Sequence, residues 1–208
     1  YVLITTALLL SMYLFPVHFW PGFRHSVRDL SFLASMLILN FLLVRSASSL
    51  ASIFPDAESS IFLLATPVAA GGLLLQVTLG ASSVFLFVIC FGILSSVFIP
   101  DSSLLLLLIF AGNIIGALSI QRCSRRSAFF VAGFRIGFIN ALLVIAYSML
   151  YPEYGAGTTM LRVLFAFLSG AFSSILATGL APIVEFIGGY VTDIKLLELA
   201  SLERPLLR

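Results

Sequence analysis

The chain is 208 residues long, 61% hydrophobic and 10% charged, with a mean hydropathy of +1.16. Soluble domains are about 45–50% apolar and about 25% charged, so these residues cannot supply a water-facing surface, and the chain reads as a membrane protein. The 11 Lys and Arg against 9 Asp and Glu leave a net charge of +2, too small and dispersed for a nucleic-acid surface.

Seven apolar runs, bounded by charge and turn residues, predict an all-α polytopic bundle of seven transmembrane helices: 2–19, 30–51, 61–76, 81–99, 104–121, 128–151 and 160–184. Only the four residues from Val77 to Gly80 separate the third run from the fourth. The joined stretch is too long for one crossing, so Gly80 is expected to turn a hairpin there. Lys and Arg near span ends stay on the cytoplasmic side. Arg24, Arg28, Arg122, Arg125 and Arg126 occupy the odd-numbered connections, whereas Asp56, Glu58, Asp101 and Glu153 occupy the even ones. That split places Tyr1 outside and the tail, with Lys195, Arg204 and Arg208, in the cytoplasm. His18, Trp20 and Phe23 fall at the first inner boundary, where amphipathic rings gather.

Two units are expected: a seven-span domain at 1–184 and an exit segment at 185–208. In the exit segment Gly188 and Gly189 break the last span. Thr192 or Asp193 can then cap a short helix whose apolar side carries Leu196, Leu197 and Leu199. Such a helix can lie on the interface, pack on its own bundle or lead into a further domain. The start at Tyr1 and the abrupt charged ending suggest a piece of a longer protein.

Charged groups at membrane depth cost about 2.5–3.5 kcal/mol on insertion scales, which makes each one a candidate. Arg135 lies about 10 Å inside the sixth span. It can snorkel, pair with Glu185 at the inner end of the seventh span, or serve a ligand or signalling role. Arg45 and Arg162 fall toward the outer ends of their spans, near Asp56, Glu58 and Glu153; an anion site formed by both arginines is the weaker alternative. The amides of Asn40, Asn113, Asn140 and Gln76 must find partners in a dry interior, and interhelical hydrogen bonds are the usual solution. Gly112 with Gly116, and Gly133 with Gly137, have the small-xxx-small spacing that lets helix backbones approach.

Catalytic patterns are lacking. The two histidines, His18 and His25, lie near the first inner loop, and Ser82 and Ser83 have no convincingly placed base. The sequence has no HExxH, no glycine-rich phosphate loop and no cluster of carboxylates inside the spans. Lys195, the only lysine, follows the last span and cannot hold a Schiff base in the bundle. Cys90 and Cys123 lack metal-ligand spacing, so no disulfide, metal or cofactor is assigned to this chain.

These features resemble the membrane region of the bacterial seven-transmembrane receptors with an intracellular HD hydrolase. ATPVAAGG at 65–72 looks like that family's proline-containing third span, and Asn113 with Gly116 fits its fifth. Arg122 and Arg126 fit the basic loop that precedes Gly133, Gly137 and Asn140. The exit carries the most specific match, through Gly179, Pro182, Glu185, Thr192, the Leu196–Leu199 stretch and Pro205-Leu206-Leu207. The third-to-fourth connection departs from the family in carrying less charge.

The resemblance implies a module of the bacterial inner membrane, preceded by an extracytoplasmic domain and followed by a metal-dependent HD phosphodiesterase that degrades cyclic di-AMP. The ligand histidines and aspartates of the HD motif have no counterparts here, so any divalent metal belongs to the HD domain and no catalytic residue is carried over. Expected partners are the lipid bilayer, the flanking domains, an unidentified small-molecule signal and a second copy in a homodimer. The leading expectation is a sensor and anchor module that passes its signal through the seventh helix. The rival is a small-molecule transporter or binding bundle, which broken helices in matching halves would favour.

Overall fold

The computed structural model describes residues 27–53, 59–99, 103–120, 127–151 and 156–188, and no strand occurs among them. The helices are α1 (Val27–Ile53), α2 (Ser59–Ala65), α3 (Ala70–Thr78), α4 (Ala81–Phe98), α5 (Ser103–Ile120), α6 (Ser127–Leu150) and α7 (Ala156–Gly188). Hydrocarbon offers no partner to a free N–H or C=O, and a helix satisfies nearly all of its own. Six stretches are long and apolar enough to cross a bilayer: Val27–Ala51, Ile61–Thr78, Ala81–Phe98, Ser103–Ile120, Ser127–Leu150 and Gly157–Phe186. They match six of the seven expected runs. The run at 2–19, the exit segment beyond Gly188 and the charged connections lie outside the described residues, except for Arg28, which the structure puts in the first turn of α1 rather than in a loop.

Apolar side chains lie both in the core and on the outer surface, while several polar ones are buried. Phe85, Phe110, Phe134 and Phe138 are exposed, whereas Asn40, Asn113, Asn140, Ser169 and Ser173 are buried. Apolar side chains face outward because the surrounding solvent is lipid, and polar ones turn inward because only the protein can bond them.

The third run departs from expectation. Instead of one helix it forms two, α2 and α3, joined by Thr66–Ala69. Together these half-helices pack against α1, α4, α5 and α7, so the broken span is central among the described helices. Leu73, Leu74 and Leu75 of α3 are completely or nearly buried, as are Phe87 and Phe91 of α4, whose rings stack at 5.4 Å. Gly80 makes the turn into α4 at φ +86°, a backbone conformation that a side chain would resist. Both Leu79 and Gly80 donate their N–H to the Leu75 carbonyl, at 2.8 and 3.0 Å.

The most extensive helix contact joins α6 and α7. A Cβ on Gly137 would strike the Phe167 carbonyl oxygen, and one on Gly170 would strike the Gly133 and Gly137 backbone, so here two helix backbones touch. Gly112 and Gly116 meet only side chains: Ile136 with Ala69 for the first, Ile136 with Leu73 for the second. Helix α7 has 33 residues, about 50 Å against a hydrocarbon core of about 30 Å, so it is longer than one crossing requires.

Candidate functional site

Proline explains the interruption of the third span. Pro67 has no N–H and its ring disfavours a helical conformation at Thr66, so the ladder stops after Ala65. Thr66 compensates by donating its N–H to the Leu63 carbonyl at 3.2 Å and its hydroxyl to the Phe62 carbonyl at 3.0 Å. Val68 N–H bonds the Thr66 carbonyl at 2.8 Å and Ala70 N–H the Pro67 carbonyl at 3.2 Å, which starts α3.

Asn113 of α5 closes the remaining gap. Its Oδ1 accepts the Gly72 N–H at 3.1 Å, and its Nδ2 donates to the Val68 carbonyl at 3.2 Å and to Ile109, one turn back, at 2.7 Å. One fully buried carboxamide thereby caps a helix start and binds a carbonyl of the interruption. The glycines at 71 and 72 make room for it, because a Cβ at Gly72 would overlap the Asn113 carboxamide and one at Gly71 the Asn40 carboxamide and the Phe87 ring.

Two further amides stand close to this point. Asn40 of α1 is 2% exposed, lies against Gly71 and donates Nδ2 to the Met36 carbonyl at 2.9 Å. Asn140 of α6 donates Nδ2 to the Ser169 hydroxyl of α7 at 3.0 Å, and that hydroxyl donates to the Ala166 carbonyl at 2.7 Å. The Cβ position of Gly112 lies 3.5 Å from Ala69 Cβ and 3.6 Å from Asn140 Oδ1. Carboxamides from α1 and α5 thus flank the first turn of α3, and Gly112 of α5 has Ala69 and the α6 carboxamide both within contact distance of its Cβ position.

The charged candidates are placed elsewhere. Arg135 is exposed on α6. Glu185 is half-buried near the end of α7 and makes contacts of its own. Arg45 is exposed, whereas Arg162 is 2% exposed and engaged. Their acidic candidates Asp56, Glu58 and Glu153 lie outside the described residues. Gln76 is partly buried nearly two turns into α3, with no partner for its Oε1. Reading by charge passed over Ser169, and Pro67, Gly71 and Gly72 entered only through the resemblance of ATPVAAGG to a family's third span, because ionisable groups ranked first. The available signal was a proline followed four residues later by paired glycines in a short apolar run. No group of three or more metal-binding side chains occurs among the described residues.

The sequence profile of the family described as 7TM receptor with intracellular HD hydrolase matches residues 1–192. A cyclic-di-AMP phosphodiesterase, PgpH, of Listeria monocytogenes serotype 1/2a (strain 10403S) is 28% identical over 176 residues, covering 83% of this chain and 23% of that protein. The PgpH of Bacillus subtilis (strain 168) is 26% identical over 188 residues, covering 87% of this chain and 26% of that protein. The chain therefore spans about a quarter of the length of these curated relatives. No solved structure matches it. With apolar helices fit to cross a bilayer and a profile match over nearly its whole length, this chain is a multi-pass protein of the bacterial inner membrane and belongs to the family of 7TM receptors with an intracellular HD hydrolase.

Proposed function

We propose that this chain is the membrane sensor and anchor module of a cyclic-di-AMP phosphodiesterase, coupling an extracytoplasmic or intramembrane signal to a cytoplasmic HD domain. In this reading the run at 2–19 supplies the seventh crossing, Tyr1 is outside, and 185–208 leads to the HD domain. That domain, rather than the membrane bundle, holds a divalent metal and carries out hydrolysis. The PgpH relatives and the attached HD domain that the family implies support the reading.

One observation carries the sensing role: both halves of the broken span pack against α7, the longest helix and the one nearest the exit. A rearrangement at the interruption has only one interface to cross before it reaches α7. A small shift or rotation of α7 against α6 is the corresponding output. Asn113 and Asn140 are the polar groups that hold one packing, with Arg135, Arg45, Arg162 and Glu185 as further polar groups that bias it. The transporter reading calls for interrupted helices in matching halves. Among the described residues α1 and α4 to α7 are each continuous, which favours a sensor over a carrier.

Phe134 of α6 and Phe167 of α7 contact each other edge to face, with ring centroids 5.6 Å apart. Cysteines substituted at these two positions, in a background with Cys90 and Cys123 replaced, can be bridged by a short bifunctional thiol reagent. Bridging is expected to change cyclic-di-AMP hydrolysis by the full-length protein. Unchanged hydrolysis after complete bridging would reduce the module to an anchor.

A further inference from the structure

Helix α6 carries a charge on the face it turns outward. Arg135 is exposed there among Val131, Phe134 and Phe138, which are exposed as well. It lies eight residues after Ser127, about 12 Å into the helix. A guanidinium at membrane depth is unfavourable, and long cationic side chains relieve this by reaching toward headgroups. Cα–Cβ bonds in a helix tilt toward its N-terminus, so Arg135 leans over the turn that holds Val131, toward the leaflet where α6 starts. From 102 to 152 the sequence contains Arg122, Arg125, Arg126 and Arg135 but neither Asp nor Glu. This stretch therefore supplies its arginines with no carboxylate of its own.

At the same height an apolar groove of about 160 Å³ opens between α6 and α7. Exposed Phe130, Phe134 and Ile175 stand at its rims, and Gly133 and Ser174 are buried beneath them. The Ser174 hydroxyl donates to the Ala171 carbonyl at 2.8 Å, so the lining offers water little to bond. Phe130 is the lining residue nearest the start of α6, and Phe167 at the other end lies against Gly137, so the groove follows the seam lengthwise. Adjacent residues are about 100° apart round a helix, so the groove and Arg135 flank Phe134 on one outer surface.

We propose that the α6–α7 seam binds one phospholipid with a net negative headgroup, its phosphate on the Arg135 guanidinium and one acyl chain lengthwise in the groove. A guanidinium matches a pair of phosphate oxygens bidentately. Basic pockets between membrane helices take anionic headgroups, whereas a zwitterionic one brings its own cation beside the arginine. Two chains on one headgroup let a single molecule straddle the Phe134 ring and meet both features. A free phosphate ion satisfies the charge but leaves the groove empty.

The test reads binding alone, so its failure leaves the sensing proposal standing. The full chain, delipidated in a neutral detergent, is titrated with dioleoyl phosphatidylglycerol or dioleoyl phosphatidylcholine, and bound lipid is counted by native mass spectrometry. Saturation near one phosphatidylglycerol per chain is expected at concentrations where phosphatidylcholine is not retained. Arg135→Gln should raise the apparent Kd roughly fivefold or more, whereas Arg45→Gln, which removes an exposed arginine of α1, should leave it unchanged. Ala171→Leu, which fills the groove and keeps Arg135, should weaken binding as well. Equal retention of the two lipids overturns the proposal, as do Arg135 or Ala171 variants that titrate like the parent or an Arg45 variant that loses as much as Arg135→Gln. Displacement of the lipid by millimolar inorganic phosphate also overturns it, in favour of a free-anion site. Should the variants fail to fold, the unsubstituted protein decides: one saturable phosphatidylglycerol against no phosphatidylcholine supports the site, and equal retention overturns it.

Discussion

Asn113 shows how much one side chain can do where water is missing. Its carboxamide makes three hydrogen bonds, two of them to Val68 and Gly72 in the interrupted span. Replacing it with leucine preserves approximate volume but leaves a buried N–H and a buried C=O unbonded, a loss of about 1–3 kcal/mol for each such group. Asn113→Leu should therefore lower stability by at least that amount in reversible unfolding with a denaturing detergent. Gln76→Leu, which removes an oxygen that already lacks a donor, should be close to neutral in the same assay. Equal effects of the two substitutions would mean that volume rather than hydrogen bonding matters at Asn113. The sequence marked Asn113 as an amide in need of a partner, but its partners are backbone atoms of a segment more than 40 residues away in the chain.

Among the elements, the α6–α7 pair is held by close backbone approach rather than by large side chains. Leu and lipid tails are equally apolar, so helices in a bilayer gain by fitting together closely, and glycine permits the closest fit. Gly137 packs on the Phe167 carbonyl, so Gly137→Val pushes a branched side chain into backbone that cannot move aside. An overpacking loss of about 1–3 kcal/mol is expected, measured by the same unfolding assay. Gly116→Ala presses instead on the ends of Leu73 and Ile136, at 3.0 and 3.1 Å, and these side chains can adjust. Its loss should be the smaller of the two; the reverse order would show that α5, and not α7, sets the position of α6. GxxxG spacing named both glycine pairs equally. It could not distinguish them, since the contacting backbone of Phe167 and Gly170 belongs to another helix.

For the whole molecule the proposed arrangement is seven crossings with basic connections inside. Single cysteines at Asp56 and Glu153, in a background lacking Cys90 and Cys123, should react with a membrane-impermeant maleimide added to intact cells. Cysteines at Arg122 and Lys195 should react only after the membrane is opened. Labelling of Arg122→Cys and Lys195→Cys from opposite sides would contradict an odd number of crossings between outside and inside. The packing of the broken span gives this topology a physical consequence: α2 and α3 together pack against four other helices, so among the described spans it is the one best placed to report a change across the bundle.

Composition alone determined that this chain lives in lipid, because 61% apolar residues cannot be hidden inside 208. Run length and punctuation located the six described spans to within a few residues, since each must be long enough for the bilayer and must end where charge or a turn residue begins. The arginines also stood out in the sequence, yet only the tertiary structure separated exposed Arg45 and Arg135 from buried Arg162. It likewise decided that the third span is two helices and that Asn113 bonds both Val68 and Gly72 at their junction, with Asn40 against Gly71. The reason is physical: apolarity and length are sums over neighbouring residues, whereas a buried polar atom is satisfied or orphaned by groups that the chain brings back from far away.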